Sequence, residues 1–402
     1  MIVRRMIGAI LRILSDLKCQ IYKLISKSKT LVRIPQTQAS IPADVNSSAY
    51  VVRHSNVLSK QRPRVVHVIA NFMTGGSSRL VVDLIENLER DYEQSVITSF
   101  VPDPPAYIGL EISEYRYPGD KESFISHLAR VKPIFIHVHY WGDCDEPWYA
   151  TAISAAEELK IPVIENINTP VAPYISPVIS RYIYVSNYVK TAFGACAVNQ
   201  LTVYPGSDFS HFEPGIEENM SPDCIGMVYR LERDKLNEEA IVPFIEIVKR
   251  RPKTRAIIVG GGSLLAVFKS KVQEAGLEDN FRFTGYVSYS ALPDLYRQMS
   301  VFIAPVWKES FGQVSPFAMN MRVPVCGYDI GAISEIVADP ALVAPPGDAD
   351  RLADIAVRLL DSAEDRVLLG KTQRARAQAL FSLPAMIAAY SRIYGEMSRG
   401  LQ

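Results

Sequence analysis

Short apolar runs alternate with amphipathic stretches from residue 64 to the end of the chain, and this alternation narrows the fold more than any other feature. Val65 to Ala70, Gln94 to Phe100, Ile134 to His139, Ile161 to Glu165 and Tyr182 to Val185 read as strands. A second series follows at Ile225 to Tyr229, Ala256 to Val259, Arg282 to Thr284, Val301 to Ala304 and Val323 to Gly327. Helical patterns lie between most of them, in the second series near 236–250, 264–275, 291–299, 312–321 and 348–361, with a last helix over 384–398. A strand that is apolar on both faces must be covered on both faces, and parallel neighbours need long crossovers, so the pattern predicts mostly parallel α/β sheets. Two series predict two doubly wound, Rossmann-like domains facing across a cleft into which the carboxyl ends of both sheets can point. The change of domain falls near Tyr204-Pro205-Gly206.

Composition agrees with this and removes alternatives. The chain has 402 residues, too many for one ordinary core. Apolar residues make up 48% and charged residues 21%, which is globular, and the formal net charge of zero gives no overall argument for a nucleic-acid partner. Cys19, Cys144, Cys196, Cys224 and Cys326 are too scattered for a metal knuckle or redox pair and read as reduced thiols of a cytosolic protein. His137 and His139, at alternate strand positions, fit packing or a site rim better than a zinc cage.

The first 33 residues stand apart. Arg4, Arg5, Arg12, Lys18, Lys23, Lys27, Lys29 and Arg33 face a single acid, Asp16, while Val3, Ile7, Ile10, Leu14, Leu17, Ile21 and Leu24 form one apolar helical face. Such a helix can lie on an anionic bilayer, pack on the protein's own surface, or pair as a short coiled coil. No run of about 18 apolar residues exists, so no membrane span is expected.

The residues that carry chemistry cluster at strand ends. Ala304-Pro305-Val306-Trp307-Lys308-Glu309-Ser310-Phe311-Gly312-Gln313-Val314 runs from a buried strand through an acid and a glycine into a helix, a place suited to anionic, hydroxyl-rich ligands. Pairing of Glu309 with Lys308 or Arg322 is the purely structural alternative. Gly75-Gly76 follows the first strand and allows close backbone approach, to a ligand or in a plain turn. Arg230 and Lys235 follow the strand 225–229; two cations there can hold a diphosphate or form a basic surface loop. Gly260-Gly261-Gly262 suits a turn whose backbone approaches something closely, with a purely structural role the alternative for its last member. Asp143 and Asp145 read as metal ligands, as an acceptor contact or as a solvated loop.

In order and spacing, these pieces together resemble a retaining glycosyltransferase of the two-domain GT-B fold, close to the GT4 family (glycosyl transferases group 1) of bacterial polysaccharide and glycolipid enzymes. The resemblance covers residues 64 to 398. It rests on Gly75-Gly76, His137-Val138-His139, Val185-Ser186-Asn187, Val203 to Phe212, Val228 to Leu231 with Lys235, and Ile258-Val259-Gly260. It continues through Phe283 to Val287, Pro305 to Gly312, Gly331 with Glu335-Ile336-Val337, and Pro345 to Asp348. It implies an EC 2.4 enzyme with an acceptor-side domain over 61–210, a nucleotide-sugar domain over 211–380, and a helix over 381–402 that crosses back to the first domain; the cationic amphipathic helix and linker read over 1–60 would precede these. Arg230, Lys235 and Glu309 are the implied catalytic residues. Gly75, Gly76, Gly285, Tyr286, Val287, Phe311, Gly312, Gln313 and Val314 are the implied donor contacts, and His139 and Asn168 would meet the acceptor or donor sugar. No metal or other cofactor is implied beyond the nucleotide-diphosphate-sugar donor. The implied acceptor is a hydroxyl of a glycan or lipid-linked saccharide in cell-surface polysaccharide synthesis. The implied place is the cytoplasm, or the cytoplasmic membrane face through residues 1–33.

Two positions depart from the pattern. Phe317 stands where the family often has a ribose-binding glutamate, and Asn168 where it often has a histidine. A deoxyribose donor such as a dTDP-deoxysugar, for instance rhamnose, would account for the first. An inactive relative that binds a nucleotide sugar or glycan as a scaffold is the alternative, and an epimerase or phosphorylase on the same plan competes more distantly.

Overall fold

The computed structural model describes residues 62–194, 197–214 and 223–400. The amphipathic segment expected over residues 1–33 and its linker lie outside the described residues. Among the described residues no helix is long and apolar enough to cross a membrane.

The first sheet contains β1 (Arg64–Ile69), β2 (Glu93–Thr98), β3 (Ile112–Glu114), β4 (Phe135–Tyr140), β5 (Val163–Ile167), β6 (Ile179–Tyr184) and β7 (Gln200–Thr202). Its crossovers include α1 (Gly76–Leu88), α2 (Lys121–Val131), α3 (Glu146–Glu158) and α4 (Asn187–Phe193). The strand order is β3-β2-β1-β4-β5-β6-β7, all parallel. The second sheet contains β8 (Cys224–Val228), β9 (Arg255–Val259), β10 (Phe281–Gly285), β11 (Val301–Ala304), β12 (Val325–Tyr328) and β13 (Val343–Ala344), in the order β10-β9-β8-β11-β12-β13. Around it lie α5 (Val242–Arg250), α6 (Leu265–Glu274), α7 (Leu292–Arg297), α8 (Val314–Asn320), α9 (Ile333–Val337), α10 (Ala349–Asp361) and α11 (Ala363–Leu380), and the described chain closes with α12 (Leu383–Arg399). Both sheets reverse direction beside their first strand, between β1 and β4 and between β8 and β11. In a doubly wound sheet such a reversal opens a crevice at the carboxyl ends.

The parallel, double-layered plan is the one expected, with local differences. The strand read at 161–165 starts and ends two residues later. The short edge strands β3, β7 and β13, and the helices α9 and α11, escaped the reading. Edge strands of two or three residues carry too little apolar run to register, and the exposed, charge-rich α11 has no clear apolar stripe.

The last helix belongs to the first domain's core. Met386, Tyr390, Ile393, Tyr394 and Met397 of α12 pack with Val65, Leu80, Leu84, Leu88 and Phe135. The two segments that pass between domains run together: Ser207 N–H donates to Phe381 O (2.8 Å) and Leu383 N–H to Ser207 O (2.9 Å). Tyr204, Phe311 and Phe381 stack there with ring centres 5.1 to 5.6 Å apart.

Under α12 lies a buried polar layer. His67 Nδ1 and His139 Nε2 are 3.0 Å apart, His67 Nε2 meets Gln94 Oε1 at 3.0 Å, and His137 Nδ1 meets Tyr394 OH at 2.8 Å. Burial holds His67 down at about 4 and keeps His137 and His139 well below the usual histidine value. On the opposite face of the sheet, burial pushes Glu165 up to about 8. The two effects act in opposite directions. Between pH 6.5 and about 4 the unfolded chain binds protons that the buried imidazoles refuse, so stability falls as pH falls. Between 4.5 and about 8 folded Glu165 holds a proton that the unfolded chain releases, so stability falls as pH rises through that window. The three histidines outweigh the one glutamate until the unfolded imidazoles have largely lost their protons, near pH 7; above that Glu165 prevails, and above about 8 the buried Cys224 and Cys326 thiols, pushed up by burial, act in the same direction. Thermal melts across pH 5 to 8 are therefore expected to peak near pH 7, and Glu165→Gln is expected to flatten the alkaline limb. A melting temperature rising steadily from pH 6.5 to 8 would contradict this assignment.

Candidate active site

Lys235 and Glu309 arrive from the two sides of the second sheet's reversal. Strands β8 and β11 are neighbours there; Lys235 lies in the loop after β8 and Glu309 in the loop after β11. Lys235 Nζ stands 2.5 Å from Glu309 Oε1, with the glutamate side chain 1% exposed and the lysine 37%. Ser310 N–H also donates to Oε1, at 3.0 Å. Among the described residues no group donates to Glu309 Oε2, although that oxygen is buried. A buried carboxylate oxygen is costly without a donor. The partner is neither Lys308 nor Arg322 but a lysine 74 positions away.

Several contacts hold the pair. Trp307, a residue the sequence reading did not single out, donates its indole N–H to Arg233 O (3.1 Å) and Leu236 O (3.0 Å), and its own N–H to Lys235 O (3.0 Å). Three carbonyls of the lysine loop are thus pinned to the strand end that leads to Glu309. A tryptophan placed two residues before the acid was the available signal. The glycine run braces the same loop: a Cβ on Gly260 would fall 1.8 Å from Tyr229 O, and one on Gly262 2.5 Å from Leu231 O. Of the two readings open for Gly262, this close approach to Leu231 supports the structural one. Gly312 sits against the carboxylate, where a Cβ would be 3.2 Å from Oε2.

The other expected site residues divide into groups. Arg230 is exposed and pairs with Asp234 at 2.6 Å rather than with Glu309. Gly76 of the first domain faces Gln313 of the second; a Cβ there would lie 3.7 Å from Gln313 Oε1, while Gly75 borders open space. Gln313 also donates to Gly206 O at 3.3 Å. Phe311 is 3% exposed and its ring belongs to the stack between the domains, leaving only its backbone for a ligand. Val314 lends its carbonyl to Tyr296 OH at 3.1 Å. Gly285 ends β10, Tyr286 is 71% exposed beside Gly261, and Val287 packs on the second domain's core. His139 is wholly buried beside His67, and Asn168 accepts from Asn166 Nδ2 at 2.6 Å with its own Nδ2 buried and unpartnered. Asp143 and Asp145 form a single helical turn after β4, and Asp145 accepts from Trp141 Nε1 at 2.7 Å.

His67, His137 and His139 bring ring nitrogens within 4.8 Å of one another, and sequence reasoning missed the grouping because His67 comes from a separate strand. They are fully buried and engage Gln94 and Tyr394, away from the cleft pair.

Residues 209–376 match the family model described as "Glycosyl transferases group 1". Over those residues the chain is similar to the group 1 glycosyltransferases. The described chain as a whole has the GT-B fold. A sucrose-phosphate synthase from Thermosynechococcus elongatus superposes over 84% of this chain and 100% of its own, with a TM-score of 0.68 at 19% identity. HepE from Anabaena, solved with UDP, covers 83% of this chain and 100% of its own, with a TM-score of 0.70 at 15% identity. By sequence, the lipopolysaccharide core biosynthesis mannosyltransferase LpsB of Rhizobium meliloti (strain 1021) is 26% identical over 220 residues, half of this chain. The D-inositol 3-phosphate glycosyltransferase 2 of Catenulispora acidiphila is 25% identical over 350 residues, 74% of this chain and 79% of its own. The chain spans 62% of the mannosyltransferase and 38% of a 2-deoxystreptamine glucosyltransferase from Streptomyces kanamyceticus, less than two thirds of either. The group 1 domain contains Arg230, Lys235, Glu309 and the loop 311–314, while Gly75, Gly76, His139 and Asn168 lie in the domain before it.

Proposed function

We propose that this chain transfers a sugar from a nucleotide-diphosphate donor to a hydroxyl of a glycan or lipid-linked acceptor, keeping the anomeric configuration. The observation that carries this is the buried Glu309 carboxylate, paired with Lys235 at the reversal of the second sheet, with Oε2 ready to accept from a sugar hydroxyl. HepE, of the same fold, was solved with UDP and with UDP-glucose, which supports a nucleotide-sugar donor. In the reaction the bond from the anomeric carbon to the diphosphate oxygen breaks, the acceptor oxygen bonds to that carbon on the same face, and the acceptor proton passes to the departing phosphate. Charge develops on the diphosphate. Lys235 and Arg230 in the loop after β8 and the backbone amides of Phe311 to Val314 after β11 can stabilise it, without a resident metal. Gly76, across from Gln313, supplies backbone to the phosphates from the first domain, and Gly285 to Val287 border the base.

The donor reading includes a dTDP-deoxysugar. Phe317 packs against Phe212, Phe209 and Tyr289, with ring centres 4.3, 5.6 and 6.2 Å away, so this position offers a ribose no acceptor. The same residue, with Asn168, favours the second reading, a scaffold that binds without transfer. Residues 1–33 would bring the chain to an anionic cytoplasmic membrane face and a lipid-linked acceptor; full membrane binding after their removal would end that role.

Calorimetry against UDP-, GDP-, ADP- and dTDP-sugars, with Arg230→Ala as control, tests the proposal. Binding of dTDP-sugars above the others, lost in the variant, is the expected result. Preference for a ribose nucleotide would remove the deoxysugar reading alone; binding without turnover would leave the scaffold; no binding at all would overturn the transferase.

A further inference from the structure

We propose that Glu335 and Ser186 form a clasp that holds the two domains closed and sets the position of Glu309, making both of them positioning residues. The inference rests on the transferase reading for its catalytic consequence, but its structural part stands on contacts between the domains.

Glu335 is on α9 of the second domain, and α4 begins in the first. Glu335 Oε2 accepts from Asn187 N–H at 3.0 Å and Oε1 from Tyr188 N–H at 3.2 Å. These are the first two amides of α4, which have no partner within their own helix. Ser186, the N-cap, satisfies the third by accepting from Val189 N–H at 3.1 Å. A carboxylate from one domain therefore completes the helix start of the other, where the helix dipole also favours negative charge. Tyr204, in the connecting segment, donates its hydroxyl to Glu335 Oε2 at 3.3 Å and accepts from Asn187 Nδ2 at 2.9 Å. Burial, with Glu335 beside it, pushes the Tyr204 hydroxyl up to about 12.

The clasp reaches the candidate site through one peptide. Ser186 Oγ, fully buried, donates to Ser310 O at 2.7 Å. On the other side Gly331, two residues before α9, lies so close that a Cβ would be 1.9 Å from Glu309 O. The 309–310 backbone is held between Ser186 of the first domain and the segment that leads to Glu335. When the domains part, Ser310 O loses its donor, the start of α4 loses its carboxylate, and the peptide that aims Glu309 loses one of its walls. The paired connecting segments at Ser207 and Ser382 and the Tyr204–Phe311–Phe381 stack supply the pivot.

The test uses the full chain and three variants. Glu335→Gln keeps the size and puts an amide N–H₂ against a backbone donor. Asn187→Pro removes one amide at a helix position that tolerates proline, after a residue already extended at φ −159° and ψ 159°. Asn187→Ala controls for the lost side chain. Small-angle scattering without ligand is expected to show a larger radius of gyration for Glu335→Gln and Asn187→Pro than for wild type and Asn187→Ala. With a turned-over donor, kcat is expected to fall about tenfold or more with donor KM changed less than about threefold, since closure and not donor binding is lost. Calorimetry with UDP and dTDP is expected to give each variant the wild-type affinity within about twofold. Unchanged dimensions in both Glu335→Gln and Asn187→Pro would overturn the clasp. A larger radius with unchanged kcat would overturn the positioning of Glu309. Wild type that binds no nucleotide would sink the transferase reading while the scattering still judges the clasp.

Discussion

Glu309→Gln is expected to lower sugar transfer by about 10²- to 10³-fold while changing stability little, and Lys235→Met is expected to lower both, with the larger loss of stability. The asymmetry follows from burial. Removing the glutamate charge leaves a lysine that is 37% exposed and can turn to water. Removing the lysine leaves a carboxylate that is 1% exposed without its cation, a situation that costs on the order of 3 kcal/mol or more. In the proposed reaction Glu309 is a charged acceptor at a defined spot beside the donor, and loss of one such group in a water-poor site is worth about two to three orders of magnitude. The double variant is expected to be more stable than Lys235→Met alone, because the two changes act on one pair. Melting temperatures and initial rates of the four proteins make the cycle. A Glu309→Gln enzyme that kept half its activity would remove Glu309 from the chemistry.

Gly331→Ala is expected to damage both folding and activity, although Gly331 makes no side-chain contact of its own. Its φ of +60° is a region that costs an alanine about 1 kcal/mol, and the added Cβ would fall 1.9 Å from Glu309 O and 2.8 Å from the carbonyl carbon. Backbone must move, and the backbone concerned carries the site acid. Gly109 is the matched control: its φ is +79° and a Cβ there meets nothing within 4 Å. Gly109→Ala should lose only the conformational part, about 1 kcal/mol, whereas Gly331→Ala should lose about 3 kcal/mol and most of the turnover. Equal melting temperatures and rates for the two variants would show that the 331–309 contact carries no weight.

These expectations draw on both what was legible in the chain and what was not. Glu309, Lys235 and the strand-end glycines stood out because a polar residue after an apolar run, or a glycine before a helix, is a local signal. Their roles did not stand out. The sequence allowed Lys308 or Arg322 as the structural partner of Glu309, and the fold supplied Lys235 instead, since β8 and β11 are neighbours at the sheet reversal. Phe311 read as part of a phosphate loop through its backbone, and only the fold reveals that its ring joins the aromatic cluster between the domains. His139 read as packing or the rim of a site, and it is packed, sealed beside His67 under α12, because register places His67 opposite His137 and the last helix covers that face.

What the sequence determined by itself is the alternation of strands and helices, the number of domains and the residues at strand ends. Each of these depends on apolar periodicity and turn chemistry within about ten neighbours. What only the tertiary structure decided is which strand end faces which: Glu309 with Lys235, Ser310 with Ser186, and Glu335 with the start of α4. Those pairs are separated by 74, 124 and 148 positions. They exist because strand order and domain docking bury apolar faces that no local pattern specifies, and the polar contacts settle where that burial brings them.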